Sequence, residues 1–519
     1  MTRAEDGRPT VHSTPVDSNP VHSDRGLAHG SMTQVEVMAQ SVAGIAPSAV
    51  MATGPALIVL FAGPGAWLSY VAATIIVVLV GLVVAQFARR FASSGSLYSY
   101  VARGLGPTGA FATGWSLVIG YVCIAMLGVT LVGPFLGSFL GSIGLPGATS
   151  PTAYILITVV TAIAAAAFAA IGIKISTRVG LVLEVVSVAA VLLVLVVVVA
   201  RGGDSAAPSL FDLSGTSFDG ITYGIVLAVL GFVGFESAAS LGAEARDPHR
   251  TIPRAVIGSA VLVGLLYVFA SIASVSGFGG VEDLTGSAAP VSDLAERYGL
   301  GSIVWIVDLG VAASFIAVAI ASINAASRVL YTMGEEDVLP AALGRAHSRY
   351  KTPHVAIAVI APIIGLVPVL LMITGREPFD VYAYVGTVGT FGYMVAYLLM
   401  AVSLPFFLRR RGEGNPLSTV LAVVVVAALL YVFYKNVIPV PEYPLNLLLP
   451  IFVAVLALGM GWYFLVRIRR PGVLAEVGST EEEPVLPAGH EAAGHVPAGH
   501  DPAGARDRST EAGPPVGQA

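Results

Sequence analysis

Residues 231–237 read Gly-Phe-Val-Gly-Phe-Glu-Ser, in the middle of an apolar run from Ile221 to Ala243 that is long enough to cross a bilayer. Two glycines and a carboxylic acid suit a lipid-surrounded helix poorly, because every backbone polar group there needs an internal partner and an ionisable side chain is costly. Irregular backbone at that depth is tolerated where it faces protein or a wet cavity, so the stretch points to a site. A second break lies in the first apolar run, at Ala43-Gly-Ile-Ala-Pro-Ser48, where Pro47 lacks an N–H and clashes with the preceding turn. The other runs carry scattered glycines, with no comparable cluster beside a charge.

Those runs number twelve, each of roughly 20 residues. With 55% hydrophobic and 11% charged residues in 519, the chain is read as a polytopic membrane protein, and the soluble globular class is excluded. Of its 27 Lys and Arg residues, eighteen fall on one set of alternate connections, four on the other and five in the tails. Cationic side chains are retained on the cytoplasmic side, so both termini are expected in the cytoplasm of a cell-membrane protein. A net charge of −5 gives no reason to expect nucleic acid, and the single Cys123 excludes an internal disulfide. Residues 1–34 and 471–519 are polar and read as disordered cytoplasmic tails; the second holds His490, His495 and His500 in a degenerate repeat that reads as tail rather than metal site. The acidic stretch 280–297 is expected outside, as a connector or a lid over the bundle.

The two breaks lie in spans 1 and 6. If spans 1–5 (residues 35–200) and 6–10 (201–407) are repeats, each crosses the membrane an odd number of times, and the second must be inverted. Interrupted spans at matching positions in two halves mark a secondary transporter with its site at the midplane. The expected fold is therefore an all-α integral membrane protein of about twelve transmembrane helices, in a five-plus-five inverted repeat with two additional helices in 408–470.

Three blocks carry a family resemblance: Gly231-Phe-Val-Gly-Phe-Glu-Ser-Ala-Ala-Ser240 with the loop Glu244-Ala-Arg-Asp-Pro-His-Arg-Thr-Ile-Pro-Arg-Ala255, the run from Phe87 to Gly106, and Ser327 to Pro340. They resemble the sixth span and loop, the second span and loop, and the eighth span of the amino acid-polyamine-organocation permeases. The resemblance covers about residues 34–470 and implies the LeuT-like form of the inverted repeat. It also implies that broken span 1 offers backbone N–H groups to a substrate carboxylate, while carbonyls of spans 1 and 6 receive its ammonium. Half-helix ends carry the matching partial charges. Carried over, Gly44, Ala46, Pro47 and Ser48 form one wall, Pro47 through its carbonyl only; Gly231, Phe232, Val233 and Phe235 form the other. The chain departs from the family in reading Ala-Pro-Ser where many members have a glycine-rich signature. It also has Leu230 where members that stack a guanidinium have a gating tryptophan, which leaves Phe235 or Phe315 to close the site.

Three acids lie at membrane depth: Glu184 in span 5, Glu236 in span 6 and Asp308 toward the outer end of span 8. Glu236 matches the family's motif glutamate and either caps freed N–H groups or carries a proton. Some proton-coupled members have a lysine in span 5; here Ser187 takes its place, with Glu184 one turn nearer the cytoplasm. Ser187 and Ser314 offer oxygens to Na⁺, and Glu184 offers a proton site, so H⁺ and Na⁺ both stand as coupling ions. No cofactor or resident metal is expected. Neither tail can fold into the signalling domain of a receptor, and His249, His347 and His354 lie at the cytoplasmic face, away from any enzyme-like cluster. No Gly-x-x-x-x-Gly-Lys-[Ser/Thr] loop for ATP is present. The expected function is secondary active import of an amino acid or related amine, with exchange or polyamine/ethanolamine transport as the alternative; oligomeric state is left open.

Overall fold

A computed structural model of the chain describes residues 27, 30–205, 213–287, 289–475, 477 and 478. The histidine repeat at His490, His495 and His500 and most of both expected tails lie outside the described residues, as does the separate unit Pro484–Ala519. Among the described residues the chain is helical, with fifteen α-helices. Span 1 is the pair α1 (Gln34–Ile45) and α2 (Pro47–Ala62), and span 2 is α3 (Ala66–Ala88). Spans 3 to 5 follow as α4 (Leu97–Ser142), α5 (Pro151–Ile171) and α6 (Ile173–Ala200). Span 6 is α7 (Phe218–Leu230) continued by a 3₁₀ turn over Phe235–Leu241, and span 7 is α8 (Pro248–Gly277). After the short helices α9 (Val281–Thr285) and α10 (Pro290–Arg297) come α11 (Val304–Glu335), α12 (His354–Ile373), α13 (Pro378–Arg410), α14 (Pro416–Val437) and α15 (Leu448–Arg469).

Among the described residues, eleven helical segments are long and apolar enough to cross a membrane, but the first, Gln34–Ala88, runs for 55 residues. At 1.5 Å per residue that is about 80 Å, two crossings of a core about 30 Å thick. The segment turns back at Gly63-Pro-Gly65, so twelve crossings result.

The packing respects the two halves. Several neighbour relations recur when spans 1–5 are exchanged for spans 6–10: α3 packs on α8, α4 on α11 and α5 on α12, whereas the packing of span 1 on α6 and α11 has no counterpart of similar extent in span 6. The pairing of α4 with α13 has its counterpart in α11 with α6, and that of α1 and α2 with α8 in α7 with α3. Such recurring pairings fit two repeated halves.

Order begins before residue 35, where the sequence placed the end of the tail. The Met32 N–H donates to the Glu244 carbonyl at 2.9 Å and Arg246 N–H donates to the Met32 carbonyl at 3.0 Å. Thr33 then closes a capping box with Glu36 at the start of α1, which satisfies two of the helix's free N–H groups. At the other end, Gly478 N–H reaches the Glu336 carboxylate at 2.9 Å, so the chain past 470 also packs on the bundle. In both places backbone donors find buried partners, which polarity of composition does not reveal. The acidic connector forms α9 and α10, both against α2, and Asp308 ties it down: Ser292 and Ser138 donate to its two oxygens at 3.0 and 2.8 Å.

Candidate functional site

Span 1 breaks where the sequence places it. Pro47 disfavours the helical region for the residue before it, and Ala46 sits in the left-handed region at φ 53°, ψ 60°. α1 therefore stops at Ile45, and α2 starts with proline at its first position, where a missing N–H costs nothing. Span 6 breaks differently. Phe232, Val233 and Phe235 donate to the carbonyls of Val229, Leu230 and Phe232, each three residues back, so the chain tightens instead of unwinding. Gly234 then turns it at φ 97°.

This corrects the expectation of bare carbonyls at the second break. The tightened turns engage those of Val229, Leu230 and Phe232, and the Tyr267 hydroxyl donates to the Gly231 carbonyl at 2.7 Å. The glycines serve a close approach. A Cβ on Gly44 would lie 2.8 Å from the Gly234 carbonyl oxygen and 2.8 Å from Ser237 Oγ, so the two breaks meet backbone to backbone.

Beside that contact lies a cavity of about 340 Å³. Gly44, Ala46, Gly231, Val233 and Phe315 line it, together with Tyr70. Four other sequence candidates lie off it: Pro47 is not part of the lining, Ser48 turns toward Glu184 of span 5, Phe232 packs on the Tyr267 ring at 5.0 Å, and Phe235 packs on Tyr397 at 5.8 Å. Phe235 is 1% exposed and reaches the α3 face at Gly81, so of the two gating candidates only Phe315 borders the cavity. Tyr70 and Tyr267 had no sequence signal beyond being tyrosines in apolar runs, where a hydroxyl needs a partner.

Its lining includes Leu57 and Phe379, both exposed, at the end away from the arginine-rich connections. At the arginine-rich end the halves are joined. Gln40 donates to the Ala321 carbonyl at 2.9 Å, Ser41 to the Phe235 carbonyl at 2.6 Å and Ser237 to the Gln40 carbonyl at 3.1 Å. Beyond them Arg328 grips Glu244 through two bonds of 2.8 Å, with side chains 1% and 0% exposed. Removing one partner of such a buried pair strands the other charge, so Glu244→Ala is expected to cost about 3 kcal/mol. A thermal melt of purified protein checks this, and adding Arg328→Met should restore much of the loss.

The buried acids separate by partner. Glu236 accepts from the Tyr121 hydroxyl at 2.7 Å and from the Tyr397 hydroxyl, fastening the span 6 break to spans 3 and 10. That arrangement favours its bracing role. Glu236→Leu would orphan both hydroxyls and is expected to cost about 3 kcal/mol, whereas Glu236→Gln, which keeps an acceptor, should melt closer to the wild type. Glu184 lies at the first break. One of its oxygens accepts from Ser48 N–H and Ser48 Oγ, both at 3.0 Å, and the other from Ser314 Oγ at 2.7 Å. Ser187 completes the cluster, donating to Ser48 Oγ at 2.5 Å. Spans 1, 5 and 8 thus meet on one carboxyl group that has no cationic partner among the described residues.

Residues 36–440 match the family described as amino acid permease. A branched-chain amino acid permease of Bacillus subtilis is 26% identical over 373 residues, covering 68% of this chain and 76% of its own length. A branched-chain amino acid permease of Lactococcus lactis is 26% identical over 377 residues, 69% and 78% respectively. A low-affinity putrescine importer of Escherichia coli is 24% identical over 355 residues, 66% and 74%.

Proposed function

We propose that this chain, which belongs to the amino acid permease family, is a secondary active importer of an amino acid or a related amine. It is a multi-pass membrane transporter, not an enzyme. The observation that carries the proposal is the meeting of two broken spans at one cavity, with exposed lining side chains at one end and the buried Arg328–Glu244 pair beyond the other. Rocking one half of the bundle against the other would exchange the open end for the sealed one, which is alternating access. With the arginine-rich end in the cytoplasm, as the positive-inside rule requires, the cavity faces outward in this state.

Coupling is assigned to the cluster at Glu184, with H⁺ as the ion. Its serine hydroxyls are bonded to the carboxyl or to one another, and the carboxyl group has no cationic partner among the described residues. Sodium, held by the same oxygens, is the second outcome. Relatives that carry branched-chain amino acids and putrescine support a small amine-bearing substrate.

Proteoliposomes test this directly. Substrate should accumulate under an inward H⁺ gradient and collapse with a protonophore. Accumulation that follows Na⁺ alone transfers the coupling to sodium, and uptake that needs internal substrate and ignores both gradients marks an exchanger.

A further inference from the structure

A groove of about 780 Å³ lies apart from the central cavity and shares no lining residue with it. α12 and α15 form its walls, and α4 and α13 its floor. It arises from how the last spans pack: α12 rests chiefly on α5, α4 and α11, α15 rests on α13 and α4, and α12 and α15 do not pack extensively on each other. Cys123 on the floor is 8% exposed and Ile363 on a wall 44%, so the groove is a cleft between helices rather than an open face.

One charged residue lines it, Arg376, and the rest of the lining is almost wholly apolar. Arg376 stands two residues ahead of α13, at the end away from the arginine-rich connections, and is exposed. Its acidic neighbours Glu377 and Asp380 are turned to the first turn of α13, where each side chain accepts the other's backbone N–H, and the Arg376 guanidinium has no ionic partner among the described residues. Apolar walls at membrane depth call for hydrocarbon, whereas a guanidinium at the membrane surface calls for an anion, and its fork suits two oxygens of a phosphate. The two demands are spaced for one molecule. Along α4 the lining runs from Trp115 to Met126, about 17 Å at 1.5 Å per residue, close to the ~15 Å depth of one leaflet of hydrocarbon. At the inner end the Trp115 indole N–H donates to the Val455 carbonyl at 3.0 Å, and Gly459 leaves room for the ring, so α4 and α15 meet there.

We infer that this groove binds one glycerophospholipid of the outer leaflet, with its phosphate on Arg376 and an acyl chain laid along α4 between α12 and α15. The floor helices are the two that bring Tyr121 and Tyr397 to Glu236, so the bound chain completes the packing behind the brace of the span 6 break and should raise the melting temperature.

Three ligands dissect the site. Full-length protein, stripped of lipid in detergent, is titrated with dioleoyl phosphatidylglycerol, with dioleoylglycerol, which lacks the phosphate, and with glycerophosphate, which lacks the chains. Native mass spectrometry counts bound lipid and copies of the chain, and thermal melts read stabilisation. Phosphatidylglycerol should bind one to a chain, about tenfold more tightly than dioleoylglycerol, and glycerophosphate should not bind. Arg376→Gln, a change at an exposed side chain, should erase the advantage of phosphatidylglycerol over dioleoylglycerol. Ile363→Trp should fill the groove from its exposed wall, weaken both lipids about tenfold and leave the melt of the lipid-free protein unchanged. The inference is overturned if the two lipids bind alike, if either variant keeps wild-type lipid binding, or if the protein is a lipid-free dimer that Ile363→Trp dissociates, which would give the groove to a second copy. None of these readouts is uptake, so the transport proposal stands or falls separately.

Discussion

Gly234→Ala is expected to abolish substrate uptake and to destabilise the protein by about 3 kcal/mol or more. Two independent costs meet at this position. The backbone is held at φ 97°, a region that L residues rarely adopt, and an added Cβ would run into the carbonyl group of Gly44 on the opposite break. The neighbour is backbone, so it cannot rotate away, and the two broken spans would have to separate. Gly44→Ala attacks the same contact from the other side and should be milder, because Gly44 is helical and alanine recovers up to about 1 kcal/mol of helix propensity. The double variant should cost less than the two single losses together, since either methyl group already parts the segments. Gly301→Ala provides the control: it has nothing within 4 Å of the new Cβ and no positive φ, and should melt like the wild type. Uptake in liposomes and thermal melts measure both effects. Wild-type uptake in Gly234→Ala would mean that the approach of the two breaks has no part in the site.

The positions of the breaks were legible in the sequence because their causes are local. Pro47 removes a donor wherever it is placed, and a Gly-rich stretch beside Glu236 is anomalous in any apolar run. Span number and repeat topology followed from run length and parity. What the breaks do was less legible. Tyr267 closes the Gly231 carbonyl from 36 residues away, and Glu184 reaches Ser48 across 136. Such contacts depend on how each helix is rotated about its axis. In spans that are apolar on every side, hydropathy carries little record of that rotation. The same limit misplaced Phe232 and Phe235, which sit next to the break in sequence yet face spans 7 and 10. Residues 30–34 were read as tail because their side chains are unremarkable, whereas their order comes from backbone pairing with 243–246.

Glu184→Gln is expected to remove gradient-driven accumulation while sparing exchange of labelled for unlabelled substrate. The amide keeps an oxygen for the Ser48 donors, so the meeting of spans 1, 5 and 8 should survive. Lost is the change between charged and neutral forms. In the wild type, protonation from the outside would neutralise the group, weaken its hold on the Ser48 donors at 3.0 Å and free span 1 to move relative to spans 5 and 8; release of the proton inside would restore the hold. External acid should therefore speed wild-type uptake. The variant, neutral at every pH, should show a flat profile and an accumulation ratio near one, a loss of about tenfold where the wild-type gradient is one pH unit, with one proton carried per substrate and no membrane potential applied. Wild-type pH dependence in Glu184→Gln would remove Glu184 from the coupling step. Were the same variant to lose a sodium response instead, the carboxylate would act as an ion ligand beside Ser187 and Ser314, and their alanine variants should then weaken sodium activation in parallel. A proton carrier predicts the opposite for Ser314→Ala. Its carboxyl partner would still exchange a proton without that hydroxyl, so accumulation under an H⁺ gradient should be retained.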